Sequence, residues 1–122
     1  MLINVEFKND YVICRYNENK ITNNEHSHLR DSIERIFDSN NKYIVLDLTK
    51  VNYISSPGIG SLISINDHCN KLSEKNGVPF KFVIFGLNAT NENLIKMLKV
   101  DTFIKIVHSE DEAINFLKNN EK

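Results

Sequence analysis

The chain has 122 residues, 41% hydrophobic and 25% charged, with 15 basic against 16 acidic side chains and a net charge of −1. That length supports one core, expected to span residues 1–122, and the even charge supplies no basic excess for phosphate-driven binding to nucleic acid. Cys14 and Cys69 are too few for a disulfide framework, and no apolar run reaches a signal-peptide core or the ~20 residues of a membrane span, so the expectation is a cytoplasmic domain with reduced thiols.

Residues 2–7 alternate, with Ile3, Val5 and Phe7 on one side. Tyr11 to Cys14 is a second β-prone run beyond the turn-forming Asn9-Asp10, which predicts an antiparallel hairpin. Thr22-x-x-Glu25 has the spacing of a capping box, and Leu29, Ile33, Ile36 and Phe37 then fall on one helical face that stops near Asn40-Asn41. Tyr43 to Leu46 is continuously apolar and closed by Asp47-Leu48, as in a strand covered on both sides. Ser56-Pro57-Gly58 opens a second helix striped by Ile59, Leu62, Ile63, Cys69 and Leu72, with Gly77 and Pro79 as its stop.

Phe80 to Phe85 reads as another buried strand. Asn88 or Thr90 caps a short helix carrying Leu94, Met97 and Leu98, and Phe103 to Val107 gives a last strand. Ser109-x-x-Glu112 is a second capping box, before a helix faced by Ala113, Ile114, Phe116 and Leu117. The order β-β-α-β-α-β-α-β-α predicts an α/β fold with a mixed, mostly parallel sheet, an N-terminal antiparallel hairpin and four helices.

The stretch with most chemical content is Ile44 to Leu62, a buried strand leading through Val51, Tyr53 and Ile54 to Ser55-Ser56-Pro57-Gly58-Ile59-Gly60. Structurally, Ser56 suits an N-cap, Pro57 suits N1, and Gly58 and Gly60 suit close packing on the sheet. Chemically, a helix start offers free amides and partial positive charge, which tolerate a phosphate on Ser56. Asp47 either bonds near Ser56 or simply ends its strand. Ser56 has no base partner for nucleophilic catalysis, and neither a phosphate-binding glycine loop nor a nucleophile elbow is present.

Other clusters read as structural. Asp67-His68-Cys69 diverges on a helix, with Cys69 in the core and His68 toward solvent. His26-x-His28 lacks further ligands at metal spacing and reads as a solvated face. Gly86-Leu87-Asn88 reads as a turn at the sheet edge. No metal, cofactor or catalytic residue is expected, although a strand-end crevice for a small molecule or nucleotide is the enzymatic alternative.

Ile44 to Leu62, together with the length and element order, resembles the signature of STAS domains, in particular the bacterial anti-sigma factor antagonists. The resemblance spans nearly the whole chain. It places the family's phosphorylated serine on Ser56, its preceding aspartate on Ser55, its following Ser or Thr on Pro57, its glycines on Gly58 and Gly60, and its strand aspartate on Asp47. Thr22 stands where the family often has an acidic residue before its first helix.

The resemblance implies a non-enzymatic module that binds an anti-sigma factor with serine kinase activity and so releases a sigma factor. Phosphorylation at Ser56, with Ser55 as second candidate acceptor, would end the complex, and a metal-dependent serine phosphatase would restore it. The implied face is Thr22, Ser55, Ser56, Pro57, Gly58 and Ile59, on a monomer or weak dimer without membrane insertion. The alternative within the family is a STAS scaffold that is not phosphorylated, or a subunit of a transporter.

Overall fold

The computed structural model describes residues 2–119. Strands β1 (Ile3–Phe7) and β2 (Val12–Tyr16) form the antiparallel hairpin, with Ile3 opposite Tyr16 and Phe7 opposite Val12. Beyond it, β4 (Tyr43–Asp47), β6 (Lys81–Phe85) and β7 (Lys105–Ile106) are parallel to β2, in the order β1-β2-β4-β6-β7. The helices are α1 (His26–Asp38), α2 (Ser56–Asn76), α3 (Ala89–Met97) and α4 (Glu110–Lys118). The α/β class, the four helices and the mixed sheet are those the sequence predicts.

Alternation along the central strands divides the core into two layers. Ile44 and Leu46 of β4 face Leu29, Ile33 and Phe37 of α1, and Ile59, Leu62, Ile65 and Cys69 of α2. Val45 faces the other way, with Ile13, Val83 and Phe85, against Ala113 and Leu117 of α4. Both faces of the parallel strands are covered, which explains their continuous apolarity.

Several local expectations are corrected. Two further strands, β3 (Lys20–Ile21) and β5 (Tyr53–Ile54), pair in parallel as a separate two-stranded sheet. At two residues each they are too short for any periodicity to reveal. Only Ile3 of the β1 stripe reaches the core; on this edge strand Phe7 is 68% exposed. In the third helix Ile95 is the buried apolar residue, beside a buried Asn91, while Met97 and Leu98 lie at and just past its end and are exposed. The last strand shrinks to Lys105–Ile106, because a 3₁₀ turn over Val100–Thr102 turns the chain and leaves Phe103 in solvent.

The helix starts differ in detail. Glu25 reaches back to the Thr22 amide at 2.9 Å, as in a capping box, but the Thr22 hydroxyl donates to the same carboxylate, and α1 begins only at His26. The carboxyl of Glu25 is held below its ordinary range, first by the Thr22 hydroxyl and then by the Thr22 amide. Asn88 caps α3 through the Asn91 amide and Ser109 caps α4 through the Glu112 amide. Gly77, at φ +69°, closes α2 in the left-handed conformation.

Candidate functional site

The second helix starts one residue earlier in its capping scheme than its sequence suggests. Ser55, not Ser56, is the N-cap: its Oγ accepts the Gly58 amide at 3.1 Å, and its carbonyl accepts the Ile59 amide at 2.9 Å. Ser56 is therefore the first helical residue and Pro57 the second. The offset arises upstream, where the Ser55 amide donates to the Ile21 carbonyl at 2.9 Å and carries the β3–β5 pairing to the helix.

The four amides that a helix start leaves without intrahelical acceptors are thus accounted for. The Ser55 amide goes to Ile21, Pro57 has none, and the Gly58 amide goes to the Ser55 hydroxyl. Only the Ser56 amide remains, instead of the open array expected of a helix terminus. The Ser56 side chain is exposed and, among the described residues, has no hydrogen-bond partner. Ser55 is half-buried and occupied by capping.

The implied face is also thinner than expected. Gly58 and Ile59 are buried, so Thr22, Ser55, Ser56 and Pro57 are its accessible members. Gly58 is required by proximity: a Cβ there would lie 2.9 Å from Ile21 Cγ2 and 3.0 Å from both the Ile21 oxygen and Ile54 Cγ2. Gly60 has no such role, since a Cβ there would meet nothing within 4 Å.

Asp47 does not support Ser56. Its Oδ1 accepts the Thr49 amide and hydroxyl at 2.9 and 2.8 Å, and its Oδ2 accepts Arg15 Nη1 at 2.8 Å. Asp47 shares the side of β4 that faces α4, whereas α2 lies on the opposite side, so strand parity separates the two residues. Arg15 also binds Glu6 and Glu110, at 2.6 and 3.0 Å. Those partners push the guanidinium still higher in basicity and hold Glu6 below its ordinary range.

Three residues near the site escape sequence reasoning. His26, read as a solvated surface residue, is half-buried, and its Nδ1 lies 2.8 Å from the buried Ser61 Oγ, tying the start of α1 to α2. Ile21 is wholly buried and holds Ser55 through its carbonyl. Tyr53, read as a further apolar touch, is 56% exposed on β5, two residues before Ser55. Its parallel partnership with Lys20 has no sequence signal.

The remaining candidates resolve simply. Cys69 is in the core and burial pushes its thiol to about 12; His68 pairs with Asp38 at 2.7 Å instead of facing solvent alone. Gly86, at φ +92°, lets its turn approach Thr49, and the Asn88 amide group reaches the Asn52 carbonyl at 3.3 Å. Among the described residues no group of three or more His, Cys, Asp or Glu converges as a metal site, and no helix is long and apolar enough to cross a membrane.

Comparison with known proteins now adds to this geometry. The family model of the STAS domain matches residues 3–113. The chain belongs to the STAS domain family. A solved structure of a putative anti-sigma factor antagonist from Thermotoga maritima superposes with a TM-score of 0.80 at 18% identity, covering 96% of this chain and 95% of that one. An anti-sigma factor antagonist from Mycobacterium paratuberculosis gives 0.79 at 17%, covering 96% and 93%. The Bacillus cell fate determinant SpoIIAA in its phosphorylated form gives 0.67 at 14%, covering 95% and 99%. At these identities the likeness is one of fold, and it extends over nearly the whole of this STAS chain.

Proposed function

We propose that this STAS domain is an anti-sigma factor antagonist, a non-enzymatic switch read at Ser56. It binds an anti-sigma factor with serine kinase activity and thereby releases a sigma factor. Phosphorylation of Ser56 ends that complex, and a metal-dependent serine phosphatase restores it. The observation that carries this reading is the division of labour at the start of α2. Ser55 caps the helix, while Ser56 stands exposed beside it with an unengaged hydroxyl. Membership of the STAS family, and a fold shared with proteins described as antagonists, supply the context.

The local chemistry suits a switch. Only the Ser56 amide is left to bind an anion, so a phosphate on Ser56 has little to fold back upon and projects outward. It adds about −1.5 to −2 charges where the site had none. A partner packed on that spot with apolar or acidic groups loses about 2–5 kcal/mol, a tens-to-thousands-fold change in affinity. The fold itself is spared, since the N-cap belongs to Ser55.

The test is incubation of the purified protein with a kinase-type anti-sigma factor from the same genome and ATP, followed by intact mass measurement and peptide mapping. One phosphate on Ser56, and loss of the complex in Ser56→Asp, are expected. A complex that survives Ser56→Asp, with no phosphate on Ser55 or Ser56, would overturn the switch and leave the unphosphorylated scaffold.

A further inference from the structure

The two edges of the main sheet are unlike each other. At one, β7 is two residues long and Lys105 is one of them, the short and charged form that keeps a natural edge from pairing with other chains. At the other, β1 runs for five residues with no proline and in unbroken register with β2. Its one charge, Glu6, is held by Arg15 through both carboxylate oxygens, at 2.6 and 3.2 Å. Nothing within β1 blunts it as a template for another strand.

Parity fixes which of its backbone groups are free. The Lys8 amide donates to the Tyr11 carbonyl at 2.9 Å and the Asn17 amide donates to the Leu2 carbonyl at 2.8 Å, so the even-numbered residues bond toward β2. The amides and carbonyls of Ile3, Val5 and Phe7 therefore point out of the sheet edge, and among the described residues none has a partner there. The same three side chains share one face of the strand. Ile3 joins the core layer on that face, while Val5 is 37% and Phe7 68% exposed.

We propose that β1 is the interface of a two-fold dimer, pairing antiparallel with β1 of a second copy and joining the two five-stranded sheets into one. The residues of the strand select the register. With Val5 opposite Val5 of the second copy, Ile3 faces Phe7, Asn4 faces Glu6, and the whole of β1 is paired. The outward residues then form the hydrogen-bonded pairs, each exchanging both of its bonds. The exposed Phe7 ring comes onto Ile3 of the second copy, and the Asn4 amide group lies across from the Glu6 carboxylate. Slipping two residues one way sets Glu6 against Glu6, and slipping the other way leaves Phe7 beyond the ladder. The two-fold axis stands perpendicular to the sheet, so the two copies of β4 run in opposite directions and the two α2 starts lie at opposite ends. Both Ser56 hydroxyls stay open, and the dimer does not depend on the antagonist reading.

An edge of this length falls at the small end of protein interfaces, so the dimer is a weak one. Sedimentation velocity at concentrations up to about 1 mM reads it, and the wild type is expected to rise toward twice the chain mass. Val5→Pro removes an amide that β2 does not use, a change that edge strands tolerate, and is expected to fold and to stay monomeric. Phe7→Lys, on an exposed side chain, is expected to do the same and carries the test if the proline variant fails to fold.

Cysteine cross-linking reads the register. In the paired strands the two residues at position 5 lie about 5.5 Å apart at Cα, within disulfide range, and those at position 7 about 14 Å apart. Copper–phenanthroline, the oxidant of the two thiols, is expected to link Val5→Cys at least about tenfold faster than Phe7→Cys. Cys14 and Cys69 are buried and do not compete. A wild type that stays monomeric throughout, a dimer that survives in folded Val5→Pro or Phe7→Lys, or linking of Phe7→Cys as fast as Val5→Cys would each overturn the proposal.

Discussion

The Ser55 hydroxyl accepts the Gly58 amide at 3.1 Å, and this one bond decides what each serine of the pair can do. An oxygen that caps a helix is committed to its backbone, while its neighbour at the first helical position is not. Ser55→Ala should lower stability by about 1 kcal/mol, the usual cost of losing an N-cap. Ser56→Ala should stay within about 0.5 kcal/mol of wild type. Urea unfolding of the two variants gives the comparison; equal losses would show that Ser56 shares the capping.

Gly58 and Gly86 should resist substitution for different reasons. Gly58→Ala places a methyl group 2.9 Å from Ile21 and should cost about 1–3 kcal/mol as overpacking. Gly86→Ala should cost more, since its φ of +92° disfavours any side chain and the new carbon would lie 2.7 Å from the Thr49 amide nitrogen. Thermal melts of both, beside wild type, report the order.

Arg15 is shared by Glu6, Asp47 and Glu110, and Asp47 is buried. Removing the guanidinium in Arg15→Ala leaves the Asp47 carboxylate with Thr49 alone, and should cost about 2–3 kcal/mol. Asp47 serves the α4 side of the sheet, so phosphorylation of Ser56 in folded Arg15→Ala should match wild type. A matched kinase assay, run below the variant's melting point, checks this.

His108 Nε2 lies 2.9 Å from Glu92 Oε2, joining α3 to the approach of α4. The Glu92 carboxylate raises His108 above its ordinary 6.5, and His108 in turn lowers Glu92 below 4.5. The histidine's contribution to stability is full below pH 6.5 and fades as pH rises through its folded value. That of Glu92 is full above 4.5 and fades as pH falls. His108→Gln should therefore lose stability relative to wild type at pH 5.5 and lose less at pH 8, as urea titrations at the two pH values would show.

Cys14 and Cys69 are buried, and burial pushes both thiols to about 12. Neither offers thiolate near neutrality, so a disulfide reagent should label native protein slowly and denatured protein at two sites.

The central strands and the buried face of α1 were legible because each rests on a pattern of four residues or more. Tyr43–Leu46 announces a doubly covered strand, and Leu29, Ile33 and Phe37 announce a buried helical face. The start of α2 was legible to within one residue. Ser55 and Ser56 are both competent N-caps, and the choice is made by the Ile21 carbonyl, a backbone group far away in the chain. The sequence leaves Asp47 open between bonding near Ser56 and ending its strand, because proximity along the chain hides the face a strand residue takes. Hydrophobicity puts Met97 and Leu98 on a short helix and Phe103 in a last strand, but it cannot tell an inward residue from an outward one, and the 3₁₀ turn over Val100–Thr102 breaks the strand before Phe103 can join it. Gly60 reads as a packing glycine, since a sequence does not show which glycines have neighbours.

The pairing of β3 with β5 makes the two serines different from a distance. Ile21 and Ile54 are partners across β3 and β5, with the whole of α1 and β4 between them in the chain. In an emerging polypeptide Ser55-Ser56 is a limp dipeptide with neither hydroxyl assigned. The distinction between the two serines therefore hangs on one long-range contact, and opening the β3–β5 pair would release the Ser55 amide that sets it.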